Sequence, residues 1–434
     1  MGKYIENKWM RAAVPALLIH CSIGTVYCWS TFKEAIGAQI QMSSFSVGWA
    51  FSLAIFFLGM SAAFAGKMVE KDIHKSSLVS CICFTVGMLG TGFFIQHFKG
   101  VQALIGIYIF YGCVMGIGLG VGYITPVKTL MLWFRDKKGL ATGISIMGFG
   151  LAKAIATPIM EMIQRNMGIS AMFYILGGVY FVMMMAGHIL LKKPSHWVEH
   201  RDNKSGFKKR RMFKDKTFVG IWLMFYINIH CGLMLISYEK QLLNLVFASS
   251  LILATVVSVV PSCTAAMNAL GRIGFSTISD HMSDRNTVYK LIFGMSIVVS
   301  VMGALTFGFV AKGAIAGIVT IGLLLVVNAG YGGGFSTLPA LLSSRYGMRN
   351  VSEIHGLALS AWAIAGITGN NLTEFILSST GNSYMYIFMA TVLLYGVALL
   401  VSFKMIKESG EVKNFGEEAK QNEILIEKKI DAYK

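Results

Sequence analysis

Long apolar stretches separated by short polar segments dominate the chain from residue 10 to residue 404. A helix that crosses a bilayer needs about 20 predominantly apolar residues, and twelve stretches are long enough. The pattern predicts transmembrane helices over 10–32, 45–66, 76–96, 101–127, 139–163, 169–191, 216–238, 248–280, 288–310, 313–340, 354–378 and 382–404. We therefore expect an all-α membrane protein.

The polar segments divide these helices into two sets of six. Glycine-rich runs that end at Pro126 in the fourth span and at Pro339 in the tenth show that the two sets resemble each other. Two same-sense halves form a parallel repeat, which is typical of secondary transporters. We expect an N-terminal six-helix bundle (1–191), a basic linker (192–215), a C-terminal six-helix bundle (216–406) and a polar tail (407–434).

Basic residues are distributed unevenly between the predicted loops. Of the 38 lysines and arginines, 30 lie in the N-terminus, every second loop and the C-terminus, whereas the loops of the other side hold five. Cytoplasmic loops carry an excess of lysine and arginine, so we expect a multi-pass protein of the cell membrane with both termini in the cytoplasm. The net charge of +17 then reflects contact with the lipid bilayer, and no nucleic-acid partner is expected.

Composition and motifs exclude several classes of function. Only 14% of the residues are charged, against about 25% in soluble proteins. The seven cysteines lie in apolar stretches and form no CxxC pair, so we expect neither disulfides nor a metal site. The chain contains no GxxxxGK[ST] motif and no evident nucleophile–base pair. We expect neither an enzyme nor a cofactor, and a gradient as the source of energy.

Arg272 is the first candidate for a functional residue. It lies eight residues before Asp280, where the eighth span ends, so it is about 12 Å inside the helix. A charge at that depth costs on the order of 3 kcal/mol, which favours a functional role. The alternative is that the long side chain extends to the lipid headgroups.

Lys128 lies at the end of the fourth predicted span and Lys153 within the fifth, and no aspartate lies inside the spans to pair with these cations. A surplus of buried positive charge favours an anionic substrate, because an unpaired buried charge is costly until an opposite charge arrives. Lys153 lies near the middle of its helix and is a candidate for a second positive site, or for a residue facing a water-filled cavity. Lys128 lies seven residues from Arg135, and we expect it to extend towards the headgroups.

Four segments carry a resemblance to a known family. They are GTVYCWSTF (24–32), VGWAFSLAIFFLG (47–59), GYITPVKTLMLWFRDKKGLATGI (122–144) and HGLALSAWAIAGITG (355–369). Together with the loops after the second and eighth spans, they resemble the oxalate:formate antiporter family of the major facilitator superfamily. The resemblance covers all twelve spans and implies the major facilitator fold.

The resemblance also implies roles for particular residues. In that family an arginine of the eighth helix binds the substrate carboxylate, and Arg272 matches it. The oxalate carrier uses a lysine in the eleventh helix, where this chain has Trp362, so a monocarboxylate is favoured over oxalate. Aromatic residues at positions that line the family's central cavity, together with a counterpart in the tenth span, are Tyr27, Trp49, Tyr123 and Tyr331. The alternative for each of them is ordinary helix packing.

Two histidines lie near the middle of predicted spans, and these are candidates for coupling transport to protons. They are His20 and His230, and a histidine changes charge near neutral pH. The alternative is a hydrogen-bonded packing role for each.

We expect a monomeric secondary transporter of a small carboxylate such as lactate, pyruvate or formate, by exchange or proton symport. The alternatives are a carrier of an unrelated solute, such as a drug or a sugar, and a non-transporting membrane sensor.

The expected orientation can be tested by cysteine labelling of intact cells. A membrane-impermeant reagent applied from outside should label a cysteine placed at Gly313 and should miss one placed at Ser205, because Ser205 lies in the basic linker. The reverse labelling pattern would contradict the orientation.

Overall fold

Twelve long helices form the protein. The computed structural model describes residues 7–195, 209–248, 252–310, 313–348 and 350–406, and these ranges contain no strand. The helices are α1 Trp9–Ile40, α2 Ser44–Lys71, α3 Ile73–His97, α4 Gly100–Trp133, α5 Arg135–Met167, α6 Ile169–Leu190, α7 Lys216–Ile236, α8 Thr255–His281, α9 Asn286–Phe309, α10 Ala314–Tyr346, α11 Val351–Ser379 and α12 Tyr384–Lys404. The prediction of an all-α protein with twelve transmembrane helices is confirmed.

The helices form two six-helix bundles, α1–α6 and α7–α12, which we call the first and second halves. The halves pack against each other mainly through α5 with α8 and α2 with α11. Most of the predicted linker (196–208 within 192–215) and the predicted tail (407–434) lie outside the described residues.

One end of the bundle contains the turns α2–α3, α4–α5, α8–α9 and α10–α11. Lys71, Arg135, Arg285 and Arg345 lie in these turns or at the helix ends that border them, and we call this end the basic end. The turns α1–α2, α3–α4, α5–α6 and α7–α8 lie at the opposite end.

The outermost helices present apolar side chains to the surroundings. α9 and α12 are the least buried of the twelve, and their exposed residues include Val298, Leu305, Leu393 and Leu400. Such a surface suits lipid chains, because a bilayer core offers no hydrogen-bonding partners.

Two helices that line the contact between the halves depart from regular α-helix. In α1 the segment Gly24–Cys28 is a 3₁₀ turn, and it carries Tyr27. α11 consists of two α-helical pieces, Val351–Ala358 and Ser360–Ser379, which meet at Leu359. Short irregular turns of this kind often mark functional positions in long helices.

Several predicted span boundaries differ from the structure, and two of the differences affect the placement of charged residues. The fourth span continues to Trp133, so Lys128 lies inside the helix rather than at its end. The predicted span 248–280 is preceded by a separate helix, Glu239–Phe247, which buries Glu239, Leu242, Leu243 and Val246. That spacing is typical of an amphipathic helix with one buried face.

The close approach of α8 to α10 depends on glycine. A Cβ atom added at Gly271 of α8 would overlap the carbonyl oxygen and the Cα atom of Ala329 in α10. Small residues allow this kind of backbone contact between membrane helices, where packing contributes much of the association energy. A Cβ atom added at Gly274, three residues later on the same helix, would meet no atom within 4 Å.

These two glycines give a matched test of the fold. Gly271→Ala should lower the free energy of unfolding of the purified protein by about 1–3 kcal/mol, because α8 and α10 must separate to accommodate the methyl group. Gly274→Ala should leave stability unchanged or slightly raised, because alanine favours the helix by up to about 1 kcal/mol. Equal melting temperatures for the two variants would contradict the close packing.

Candidate functional site

Arg272 lies at the contact between the two halves and is only 1% exposed. Its Nε donates to Asn268 Oδ1 at 2.9 Å, one turn earlier on α8, and its Nη1 donates to the carbonyl oxygen of Ile146 in α5 at 3.3 Å. Among the described residues no carboxylate lies within ion-pair distance of this guanidinium. The side chain is therefore buried between the halves and does not extend to the lipid headgroups.

Two phenylalanine rings flank the Arg272 guanidinium. Its Cζ lies 5.8 Å from the ring centre of Phe149 in α5 and 5.4 Å from that of Phe335 in α10. Attraction between a cation and a ring face contributes about 2 kcal/mol or more when water is excluded. The rings thus stabilise the charge in part, but they supply no negative charge to pair with it.

Tyrosines of both halves meet beside the guanidinium. The hydroxyl oxygens of Tyr27 in α1 and Tyr331 in α10 lie 3.1 Å apart, and either can donate to the other. The Arg272 charge is close enough to act on these two phenols and on that of Tyr123 in α4. This pair of hydroxyls links the first half to the second at the level of Arg272.

Trp362 of α11 completes the wall of the site. Its ring centre lies 5.4 Å from that of Tyr123, 5.7 Å from Phe149 and 4.5 Å from Phe335. The indole Nε1 of Trp362 and the hydroxyl of Tyr123 are buried and have no hydrogen-bond partner among the described residues. Buried donors without partners are rare in folded proteins, so these two groups are available to donate to an acceptor on a bound ligand.

The site combines an unneutralised guanidinium with two unsatisfied donors and a wall of rings. A carboxylate offers a negative charge and about four acceptor positions, so it can bind the arginine through two parallel bonds and accept from further donors. Cations find no acidic group here among the described residues. The arrangement therefore suits a small anion with a compact apolar body. We call it the central cluster (Tyr27, Tyr123, Phe149, Asn268, Arg272, Tyr331, Phe335 and Trp362).

The central cluster contains five of the seven residues predicted to bind substrate, namely Tyr27, Tyr123, Arg272, Tyr331 and Trp362. Trp49 is half-buried on α2 and makes no ring contact with the cluster. Its expected place in the cavity wall therefore stays a prediction.

Lys153 lies outside the central cluster, towards the end opposite the basic end. It follows by three residues Gly150, at which an added Cβ atom would lie 2.9 Å from Arg272 Nε. Residues three apart share a helix face, so Lys153 projects from the face of α5 that meets Arg272, about one turn further along. The side chain is half-buried, and its charge acts on Glu239 of the second half.

Lys128 corrects an expectation drawn from the sequence. It is 1% exposed and does not extend to the headgroups, because its ammonium pairs with Glu70 at the end of α2. Glu70 lies 58 residues earlier in the chain, beyond the apolar run from which the span was predicted. The ion pair neutralises Lys128 and leaves it no role as a free cation.

The two histidines proposed for proton coupling lie in different surroundings. His20 is fully buried beneath Tyr123, with Nδ1 2.6 Å from the Ser145 carbonyl oxygen and Nε2 3.0 Å from the Tyr123 carbonyl oxygen. His230 Nδ1 lies 3.2 Å from the Tyr226 hydroxyl and 3.0 Å from the Thr368 hydroxyl. Neither ring reaches the Arg272 guanidinium, so His20 supports the cluster through the backbone of α4 and α5.

Phe149, Phe335 and Asn268 are the members of the cluster that the sequence analysis missed. Asn268 precedes Arg272 by four residues, and helix spacing alone could have indicated that the two side chains meet. No comparable signal marks Phe149 or Phe335, since phenylalanines are frequent in apolar spans and only the fold shows which of them face the arginine.

The two halves are joined at the basic end by two similar contacts. Asp280, in the last turn of α8, accepts hydrogen bonds from the backbone N–H groups of Gly139 and Leu140 at 2.8 Å each. Glu70, in the last turn of α2, accepts from the backbone N–H of Ser352 at 2.7 Å. In both cases a carboxylate of one half caps the first turn of a helix in the other half, where the helix dipole favours negative charge.

Further contacts between the halves extend from the basic end to the central cluster. Thr142 Oγ1 of α5 donates to the Ser336 carbonyl oxygen of α10 at 2.7 Å, and Cβ atoms added at Gly59 of α2 or Gly356 of α11 would overlap the facing helix. The described helices of the two halves are thus in close contact from the basic end as far as the central cluster.

Comparison with known proteins agrees with this architecture. Residues 16–370 match the profile of the Major Facilitator Superfamily. The chain belongs to this superfamily. The major facilitator fold inferred from the sequence is confirmed, and the protein is a transporter rather than an enzyme.

Several superfamily members resemble the chain over nearly its whole length. An oxalate:formate antiporter of Oxalobacter formigenes is 23% identical over 94% of this chain and 96% of its own. The uncharacterised transporter YhjX of Escherichia coli is 24% identical over 84% and 87%. Apicoplast pyruvate carrier 1 of Toxoplasma gondii is 19% identical over 84% and 83%. Among solved structures, the proton:xylose symporter XylE superposes with a TM-score of 0.68 at 13% identity, covering 92% of this chain and 96% of that one.

The contact made by Asp280 gives a testable prediction about the conformational equilibrium. Asp280→Asn should weaken closure at the basic end, because an amide oxygen without charge interacts less favourably with the helix terminus. The loss should be about 1 kcal/mol, or roughly fivefold in the ratio of closed to open protein. Distances between spin labels attached at the basic end of the purified protein would measure that ratio.

Asp136→Asn is the matched control, because Asp136 lies in the neighbouring α4–α5 turn and is exposed. It should leave the distance distribution unchanged. If the two variants showed the same distribution as the wild type, the carboxylate of Asp280 would have no part in closure.

Proposed function

We propose that this protein is a secondary active transporter of small carboxylate anions, with Arg272 as the carboxylate-binding residue. The observation that carries the proposal is a buried guanidinium with no carboxylate of the described chain beside it. Such a charge is costly until an anion arrives, so the free energy of pairing is available for binding substrate.

The two halves would share the bound anion. Arg272 and Trp362 belong to the second half and Tyr123 to the first, so a carboxylate that accepts from all three would draw the halves together. In alternating access, this closure would be followed by release of the contacts at the basic end, which exposes the site to the other side. Concentration gradients would supply the energy, through exchange or proton symport.

A monocarboxylate such as lactate, pyruvate or formate suits the cluster better than oxalate. Trp362 presents a single neutral N–H donor and an apolar ring surface, whereas the second carboxylate of oxalate would need a cation at that position. Names among the relatives point to the same class, since they include an oxalate:formate antiporter, a pyruvate carrier and, over 42% of the chain, monocarboxylate transporter 12 of Mus musculus.

Other solutes have less support. A sugar or a drug does not need an unneutralised arginine in the binding site, and the likeness to the xylose symporter shows the fold alone. A non-transporting sensor does not require the two similar contacts, made by Glu70 and Asp280, that join the halves at the basic end. We also propose that the protein acts as a monomer in the cell membrane, with both termini in the cytoplasm.

The role of Arg272 can be tested by removing its planar fork while keeping its charge. Arg272→Lys loses one charge-assisted hydrogen bond to the substrate, worth about 1.5–3 kcal/mol, so affinity should fall roughly ten- to a hundredfold. Binding of lactate, pyruvate, formate and oxalate to purified protein would measure the change. Arg165→Lys is the control, because Arg165 is 80% exposed at the end of α5.

The same assay tests the part assigned to Trp362. Trp362→Lys adds a second cation to the central cluster and should shift the preference from lactate towards oxalate. Wild-type affinity in the Arg272→Lys variant would refute the carboxylate anchor. An unchanged preference in the Trp362→Lys variant would leave the anchor in place but remove the reason for preferring a monocarboxylate.

A further inference from the structure

Glu239 is a buried carboxylate that the central cluster does not include. It is the first residue of the helix Glu239–Phe247, in the α7–α8 connection at the end opposite the basic end. The residue is only 6% exposed, and its Oε1 accepts a hydrogen bond from Thr264 Oγ1 of α8 at 2.7 Å. A carboxylate withdrawn from water to this extent is costly unless a cation pairs with it or a proton neutralises it.

Lys153 is the cation of the other half whose charge acts on Glu239. No nitrogen–oxygen contact within 4 Å, however, joins the two residues in this conformation. Lys153 also lies about one helical turn from the part of α5 that touches Arg272. It is therefore placed between Glu239 and the central cluster, towards the end opposite the basic end.

The surroundings of Glu239 favour its neutral form. Burial raises the pKa of the Glu239 carboxyl, whereas the hydrogen bond from Thr264 and the charges of Lys153 and Lys240 lower it and only partly offset burial. Thr264 is the polar group that α8 contributes, and α10 contributes apolar residues such as Leu323. Tyr238, the neighbour in sequence, is itself influenced by Glu374.

We propose that Glu239 is a proton-binding site that competes with the transported anion for Lys153. The proposal rests on the proposed carboxylate transport and specifies how that transport is coupled. When Glu239 is ionised, it attracts the Lys153 ammonium away from the site. When Glu239 carries a proton, Lys153 is free to add its charge to that of Arg272 around the incoming carboxylate.

Coupling follows from this competition. A proton at Glu239 strengthens anion binding, and by reciprocity a bound anion strengthens proton binding. One proton and one monocarboxylate would then cross together with no net charge, which is a symport. The chemistry is a reversible protonation of the Glu239 carboxylate, and no covalent bond to the substrate forms.

The experiment measures substrate affinity and proton movement together, in purified protein reconstituted into lipid vesicles. The probe is whichever of lactate, pyruvate and formate the wild type transports best, and a pH-sensitive dye inside the vesicles reports protons. In the wild type, affinity should fall as pH rises through the pKa of Glu239, by at most about tenfold per pH unit for one coupled proton. Substrate uptake should acidify the vesicle interior.

Glu239→Gln should bind the probe tightly at every pH, because the neutral amide never attracts the Lys153 ammonium. The variant should also no longer move protons, because an amide does not take up or release a proton. Lys153→Met should bind weakly at every pH, since it lacks the cation for which the two groups compete. Glu161→Gln is the matched control: Glu161 is 41% exposed at the end of α5, and its removal should preserve the wild-type pH profile.

A milder variant keeps the proposal testable if Glu239→Gln does not fold. Thr264→Val removes the hydrogen bond that favours the ionised carboxylate, so the pKa of Glu239 should rise and the midpoint of the affinity profile should move to higher pH. An unmoved midpoint would count against Glu239 as the titrating group.

Other outcomes separate this proposal from the function on which it rests. Wild-type pH dependence in Glu239→Gln, or its loss in His20→Gln or His230→Gln instead, would overturn the role of Glu239 while leaving carboxylate transport in place. Transport without any pH dependence would do the same and would indicate exchange. A wild type that transports none of the three probes would refute carboxylate transport and this coupling with it.

Discussion

The charge of Arg272, held between the halves without a carboxylate of the described chain beside it, is the constraint on which the other features of the site depend. Hydrogen bonds to Asn268 and to the Ile146 carbonyl oxygen fix the orientation of its guanidinium group in the site. Phe149 and Phe335 exclude water from its faces. A carboxylate that binds here gains a strong interaction, because the surrounding rings weaken electrostatic forces far less than water does.

Acidic residues are placed where they hold the halves together rather than where they would neutralise the site. Glu70 and Asp280 occupy matching positions at the ends of α2 and α8, and each caps a helix of the opposite half. Glu70 also takes up the charge of Lys128. The protein thus combines a cationic centre with an end at which carboxylates join the halves. The free energy of anion binding at the centre can offset the cost of breaking the contacts at that end.

Glu239 and Lys153 extend this division of charge towards the end opposite the basic end. Glu239 belongs to the second half and Lys153 to the first, so any change in their separation accompanies the movement of the halves. A proton on Glu239 then affects both the electrostatics of anion entry and the closure of that side. Proton coupling in this proposed form would need no contact between the Glu239 carboxyl and the substrate.

The sequence by itself determined the twelve spans, their grouping into two halves and the depth of Arg272, because hydropathy and helix rise are properties of one helix at a time. It could not determine which side chains meet. Lys128 pairs with Glu70, a residue that lies beyond the apolar run from which the second span was predicted. Phe149 and Phe335 join the site because α5 and α10 present those faces to each other. Contacts between helices that are distant in the chain depend on the rotation and spacing of each helix. Glycines such as Gly271 allow helices to approach closely. These contacts were therefore decided only by the tertiary structure.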